Sequence, residues 1–135
     1  MKIFRTAQIP SEPGDVKTFT GDVIRTTLAS DKAGTPVNVY RVEFAPGART
    51  HWHSHDGPQW LFVTEGRIRL QKLGEAPTEI VAGDAVVIQP GEKHWHGATP
   101  NARMTHIAIQ ERLNGKTVDW LEKVSDEQYG QIANA

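Results

Sequence analysis

The residues of this chain whose type and spacing could do chemistry are its six histidines, all of which lie between residues 51 and 106. Side chains alternate across a strand, so histidines two positions apart share a face. If the faces that carry them turn inward, the imidazoles converge. One isolated histidine would more often be a surface or core residue, but six with this spacing favour a metal site. They are His51, His53, His55, His94, His96 and His106.

Such a site would have nitrogen and oxygen ligands, because the chain contains no cysteine. Neutral imidazole binds Zn, Cu, Fe and Ni, and an added carbonyl oxygen shifts the preference toward Mn(II) or Fe(II). Three histidines and one glutamine carbonyl would leave the ion its full 2+ charge and, with open positions, make it a Lewis acid. A structural ion would more often be fully enclosed by its ligands.

The length and charge composition of the chain indicate which classes of partner to expect. With 135 residues the chain has the length of one domain, which we expect to span residues 1–135. Its 15 basic and 16 acidic residues nearly balance without a basic cluster, so a nucleic acid is not an expected partner. No apolar run resembles a secretory or membrane segment. We expect a cytoplasmic protein with a small-molecule substrate and no membrane partner.

The elements that must position the histidines are short strands. Runs rich in Val, Ile, Thr and aromatic residues alternate with Gly and Pro, which is typical of an all-β sandwich or barrel. Ser125 and Gln128 have the spacing of a capping box, which predicts a short C-terminal helix from Asp126. Turns are predicted at residues 32–34 and 114–115, among others. The predicted strands are Asp22–Ala29, Val37–Phe44, Gln59–Thr64, Arg67–Lys72, Glu79–Val81, Ala85–Ile88, His94–Ala98 and Met104–Gln110.

The histidine spacing resembles the two signature motifs of the cupin family. The first motif places Gly, His-x-His, Glu and Gly at the positions of Gly47, His53, His55, Gln59 and Gly66. The second places Gly, Pro-x-Gly, His and Asn at the positions of Gly83, Gln89, Gly91, His94 and Ala98. Gln therefore replaces Glu at one ligand, while Pro and Asn are replaced at positions that supply no ligand. The resemblance implies a single-domain jelly-roll β-barrel.

A narrower resemblance is to the bacterial manganese-dependent hydroxynitrile lyases of cupin type. It is carried by residues 44–50, 90–98, 104–106 and 108–111 and by the glutamine in the ligand set. The resemblance implies one divalent ion, Mn(II) before Fe(II), Zn, Ni or Co. The implied ligands are His53, His55, Gln59 and His94. His96 and His106 would be the acid–base groups, and the implied pocket residues are Tyr40, Val42, Thr50 and Gln110.

Three residues depart from that group and concern the pocket. Tyr40 stands where a small residue is expected, His51 adds an imidazole beside the first motif, and Trp60 is bulkier than expected. If its strand lines the barrel, Tyr40 should point inward with Val42 and Phe44. Its bulk would then restrict the access of aromatic substrates.

Three functions remain open at this level. The first is a lyase that cleaves a cyanohydrin into an aldehyde and cyanide, with the two spare histidines as acid–base groups. The second is a metal-dependent dioxygenase, in which the ion binds an organic substrate and O₂. The third is a non-catalytic cupin that binds a small ligand. The spare histidines favour catalysis, because two titratable groups beside a Lewis acid exceed what binding requires.

Strand parity also predicts an oligomer. Trp52 and Trp95 alternate with the histidines, and Trp60 and Phe62 share one face of their strand. These aromatic side chains therefore face away from the site, and a monomer would expose them unless terminal segments cover them. We expect a homodimer or a homotetramer.

Overall fold

The computed structural model describes residues 1–30, 34–112 and 118–130, and these residues form mainly antiparallel strands. A 3₁₀ turn at Thr6–Gln8 precedes the strands, and helix α1 (Asp126–Gly130) follows them. The strands are β1 (Glu12–Pro13), β2 (Phe19–Thr20), β3 (Val23–Ala29), β4 (Val37–Phe44), β5 (Arg49–Thr50), β6 (His53–Ser54), β7 (Gln59–Glu65), β8 (Arg67–Lys72), β9 (Thr78–Val81), β10 (Ala85–Ile88), β11 (His94–Ala98), β12 (Met104–Glu111) and β13 (Asp119–Trp120).

The strands form two sheets. The first sheet has the order β1-β3-β4-β12-β7-β10. In the second, the order is β13-β6-β11-β5-β2, and β8 also pairs with β11 and carries β9 at its other edge. The predicted all-β fold with a short C-terminal helix is confirmed. Each of the eight predicted strands is present with its ends within one residue, whereas the two-residue strands were not predicted. The turns predicted at 32–34 and 114–115 lie wholly or partly outside the described residues.

The core lies between the two sheets. Alternate residues of β4, β7 and β12 point inward, and Phe44, Leu61 and Met104 are at most 1 % exposed. The second sheet contributes Ile68 and Ala98, which are fully buried. This is the alternation expected when one face of each sheet covers an apolar core.

The C-terminal segment covers part of the second sheet. Trp52 and Trp95, which strand parity turns away from the histidines, pack with Val124 and Tyr129 and are at most 2 % exposed. Helix α1 begins with the predicted capping box, in which the backbone N–H of Gln128 donates to Ser125 Oγ at 3.1 Å. The return bond, from the Ser125 N–H to the Gln128 side chain, is 2.9 Å long.

The described residues contain no helix long and apolar enough to cross a membrane.

Candidate metal centre

A cavity between the two sheets opens at one end of the structure and has a volume of about 170 Å³. Four imidazoles and two glutamines line it, together with apolar and aromatic side chains. The imidazoles and amides are His53, His55, His96, His106, Gln59 and Gln110.

Five of the six histidines form one buried group. His53 lies on β6 directly opposite His94 of β11, and the centroids of their rings are 4.1 Å apart. The ring of His55 lies 5.1 Å from each of these two rings. His96 lies 5.3 Å from His53, and His106 of β12 lies 4.9 Å from His96. The predicted convergence of imidazoles therefore holds for these five residues.

His51 does not join this group, so the expectation that it shares a face with His53 and His55 is wrong. The strand pairing stops after Thr50 and resumes at His53, and the chain bends between them. Because the alternation of side chains needs an uninterrupted strand, the bend redirects the His51 side chain. Its ring is buried but has no ring contact with the other imidazoles among the described residues.

Two of the predicted ligands are held by backbone carbonyls. Nδ1 of His53 lies 2.9 Å from the carbonyl oxygen of His51, and Nδ1 of His94 lies 2.8 Å from that of Glu92. A carbonyl oxygen can only accept, so Nδ1 carries the proton in both rings and donates it. The lone pair of a neutral ring is then on Nε2, and this is the arrangement found around metal-binding histidines.

The side chain of Gln59 is oriented in a similar way. Its Nε2 donates to Oε1 of Gln110 at 2.5 Å, across the pairing of β7 with β12. The amide oxygen of Gln59 then points to the other side and has no hydrogen-bond partner, although it is buried. An orphaned carbonyl oxygen beside neutral imidazoles is a suitable ligand for a divalent ion.

The predicted donor set fits a metal ion, because several of its buried donor atoms have no hydrogen-bond partner in the protein. Buried polar atoms are normally hydrogen-bonded. Here Nε2 of His94, both ring nitrogens of His55 and Oε1 of Gln59 lack partners. One ring nitrogen each of His53, His94 and His96 lie within 4.8 Å of one another, a tighter grouping than the predicted set. We favour the predicted set because coordination of a metal ion would satisfy the buried, unpartnered atoms of His55 and Gln59.

Burial keeps these imidazoles neutral. It lowers the pKa of His55 to about 3 and that of His94 to about 4. It also lowers the pKa of His53 well below the ordinary value, with further contributions from His94 and His55. Neutral nitrogen donors at neutral pH are what metal coordination requires.

His96 and His106 lie next to this set. Burial lowers the pKa of His106 to about 3. Burial also lowers the pKa of His96 well below the usual value, and the neighbouring His106 lowers it further. Nδ1 of His96 and both ring nitrogens of His106 have no hydrogen-bond partner. The backbone N–H of His96 donates to Oγ1 of Thr50 at 3.2 Å. Gly97 permits this approach, because a Cβ there would collide with the backbone of Ala48 and Arg49.

The first sheet carries His106 and supplies the wall that faces the other imidazoles. Inward side chains of β4 and β12 meet in register, with Val42 opposite His106 and Tyr40 opposite Ala108. Tyr40, Val42, Thr50 and Gln110 all line the cavity, as does Phe44. Trp60 lies on the outer face of β7 and is 45 % exposed, so its bulk does not enter the cavity.

Sequence reasoning missed three side chains at the cavity mouth. Phe19 and Trp120 come from two-residue strands that are too short to show alternation. Trp120 lies over the ring of His53 with a centroid distance of 4.7 Å, and Phe19 lies 5.8 Å from Trp120. Arg25 also lines the cavity from β3, where it lies opposite Val42. The parity of β3 could have indicated Arg25 only if the register of β3 on β4 had been known.

The chain matches known proteins over most of its length. The family model described as "Cupin domain" matches residues 40–109. A protein named (R)-mandelonitrile lyase from Granulicella tundricola is 50 % identical over 129 residues, which are 96 % of this chain and 98 % of that protein.

Solved structures agree with the fold. A cupin-like protein from Thermotoga maritima superposes with a TM-score of 0.86 and 40 % identity, covering 91 % of this chain and 93 % of the other. A polyketide cyclase from Streptomyces resistomycificus has a TM-score of 0.70 and 20 % identity, covering 96 % and 90 %.

Proposed function

The chain belongs to the cupin family, and on that premise we propose that it is a metal-dependent lyase that reversibly cleaves cyanohydrins into an aldehyde and cyanide. The relative from Granulicella tundricola, which is named (R)-mandelonitrile lyase, supports this reaction class. One observation in the structure carries the proposal, namely the buried, neutral imidazoles of His96 and His106 on the cavity wall, where Nδ1 of His96 and both ring nitrogens of His106 have no hydrogen-bond partner.

We infer one divalent ion, Mn(II) in preference to Fe(II), Zn, Ni or Co. Its ligands would be His53, His55, Gln59 and His94. A divalent ion bound by four neutral donors would supply Lewis acidity to the cavity. The orientations of His53, His94 and Gln59 are already set by hydrogen bonds, so the protein would lose little conformational freedom on binding the ion.

The remaining side chains would move the proton and hold the substrate. His106 or His96 accepts the hydroxyl proton of the cyanohydrin while the bond between the carbinol carbon and the nitrile carbon breaks. The electron pair of that bond leaves with cyanide, which takes up the proton from the imidazolium and departs as hydrogen cyanide. The carbinol carbon becomes the aldehyde carbon, so atoms and charge balance. Tyr40, Val42 and Phe44 form the apolar wall against which the substituent packs.

The test is a metal analysis of the purified protein followed by an assay of mandelonitrile cleavage. We expect benzaldehyde release above the uncatalysed rate, with the manganese form the most active among forms prepared with Mn, Fe, Zn, Ni and Co. His94→Ala is the control and should lose both metal and activity. Absence of cleavage with every metal would refute the proposal, and oxygen uptake by the same preparations would indicate a dioxygenase instead.

A second measurement decides between the two donor sets. If His55 is a ligand and His96 is not, His55→Ala should bind less metal while His96→Ala keeps the full content. The opposite result would favour the tighter grouping of His53, His94 and His96.

A further inference from the structure

The wall of the cavity carries a cation at Arg25, remote from the imidazoles. We propose that Arg25 is a specificity-determining residue that binds a carboxylate at the distal end of the substrate. The substrate class would then be a cyanohydrin, or the corresponding aldehyde, whose side chain ends in a carboxylate. The identity of the reacting end rests on the function proposed above, whereas the recognition of the carboxylate does not.

Register places Arg25 at a defined distance from the candidate catalytic groups. It lies opposite Val42 on β4, and Val42 lies opposite His106 on β12. Directly opposite residues of antiparallel strands project from the same face, so all three side chains point into the cavity. Two interstrand spacings put the Cα atom of Arg25 about 10 Å from that of His106. A molecule with its reacting carbon at His106 therefore extends toward Arg25 along this row.

The charge of the cavity favours an anion at that position. Among the described lining residues Arg25 is the only one with a formal charge at neutral pH, because the four imidazoles are neutral and no carboxylate is present. A bound divalent ion would add further positive charge. Arginine presents a planar fork of donors that matches a carboxylate. A neutral substrate would make no charge-assisted contact with Arg25.

The contacts of Arg25 position it but do not saturate it. Its guanidinium lies 5.3 Å from the centroid of the Tyr40 ring, which orients the group along the wall. Its ion pair with Glu12 spans 3.6 Å, and the two side chains are 45 % and 68 % exposed. An exposed pair at this distance contributes little, so a substrate carboxylate can replace it. Tyr40 would thus help to present Arg25 as well as limit the width of the cavity.

The first test measures binding without turnover. Metal-loaded protein is titrated calorimetrically with 4-(hydroxymethyl)benzoate and with benzyl alcohol, which differ only in the carboxylate. We expect the carboxylate to bind at least about tenfold more tightly, as is typical of a charge-assisted pair. Arg25→Gln should remove this advantage, and Arg25→Lys should keep part of it. Glu12→Gln should increase it, because it removes the competing carboxylate.

Arg67→Gln is the matched control. Arg67 is 51 % exposed and also pairs with one glutamate, at 3.7 Å, but it lies on β8 and does not line the cavity. This variant should bind both compounds as the parent does. Equal affinity of the parent for the two compounds would overturn the proposal. A carboxylate advantage that survives Arg25→Gln would also overturn it, because the anion would then be held by the metal or another cation.

Turnover separates this proposal from the function on which it rests. The cyanohydrin of 4-carboxybenzaldehyde should have a lower KM than mandelonitrile, and Arg25→Gln should raise the first KM about tenfold more than it raises the KM for mandelonitrile. If neither cyanohydrin is cleaved, the lyase function fails while the binding result still decides the role of Arg25. If both are cleaved with equal KM, Arg25 does not set specificity.

Discussion

Replacing Gln110 with leucine should weaken metal binding although Gln110 is not a predicted ligand. Both Gln59 and Gln110 are 5 % exposed, and the bond from Gln59 Nε2 to Gln110 Oε1 is the contact that fixes which end of the Gln59 amide faces the imidazoles. Without the acceptor, the buried NH₂ group loses its partner, at a cost of about 1–3 kcal/mol. The amide can recover part of this cost by rotating, but rotation turns its oxygen away from the ligand position.

The expected loss of metal affinity for Gln110→Leu is about 10- to 100-fold, the range typical of residues that orient a metal ligand. The assay is a competition titration of Mn(II) between the protein and a chelator of known affinity, with urea unfolding of the metal-free variant as the control for stability. Gln110→Glu keeps an acceptor for the Gln59 NH₂ group and should retain tight binding.

A double-mutant cycle makes the reasoning refutable. If Gln110 acts only through Gln59, the variant Gln59→Leu/Gln110→Leu should bind Mn(II) as weakly as Gln59→Leu alone. An equal additional loss from Gln110→Leu in both backgrounds would show that Gln110 acts by another route. Unchanged affinity in the single Gln110→Leu variant would show that the orientation of Gln59 does not matter for the ion.

Four further predictions concern other parts of the structure. His96→Ala and His106→Ala should each lower kcat for cyanohydrin cleavage about 10²–10⁴-fold with full metal content, and full activity in both would refute their acid–base role. Tyr40→Ala should raise turnover of a bulky aromatic cyanohydrin more than that of a small aliphatic one, and a change independent of size would contradict the placement of Tyr40 as a barrier. Trp60 and Phe62 are 45 % and 39 % exposed and stack with ring centroids 5.9 Å apart, so we expect them to lie in the interface of a homodimer or homotetramer. The double variant Trp60→Lys/Phe62→Lys should dissociate, and light scattering should show this change. A parent protein that is only a 15.0 kDa species would contradict the expectation. Burial lowers the pKa of His106 from 6.5 to about 3, so the unfolded chain binds a proton that the folded chain excludes between these pH values. The free energy of unfolding of the metal-free protein should therefore fall by about 1.4 kcal/mol per pH unit from this residue as the pH falls below 6.5. Urea unfolding at pH 7 and pH 5 should show a smaller loss of stability for His106→Gln than for the parent. An equal loss in both proteins would contradict the buried neutral state of His106.

The sequence by itself determined the larger strands and the parity of their side chains. Alternation within β4 and β12 is a local property of an extended chain, so residue spacing predicted that Tyr40 and Val42 share one face and that His106 and Gln110 share another. The family resemblance, and not the spacing, implied that these faces line the pocket, which the structure bears out. The capping box at Ser125 is equally local, which is why the start of α1 was predictable. The His-x-His spacing and its resemblance to the cupin motifs likewise indicated which imidazoles belong together.

Only the tertiary structure decided which features interrupt or connect these local patterns. The bend after Thr50 removes His51 from the imidazole group, and a sequence parity rule cannot detect it because it assumes a continuous strand. Arg25 reaches the cavity through the register of β3 on β4, a pairing between residues distant in sequence. Trp52 and Trp95 are covered by the C-terminal segment, and Trp60 and Phe62 are not, although all four alternate with inward residues. Long-range packing selects among faces that are locally equivalent, and for this reason the surroundings of the candidate site could be read only from the folded chain.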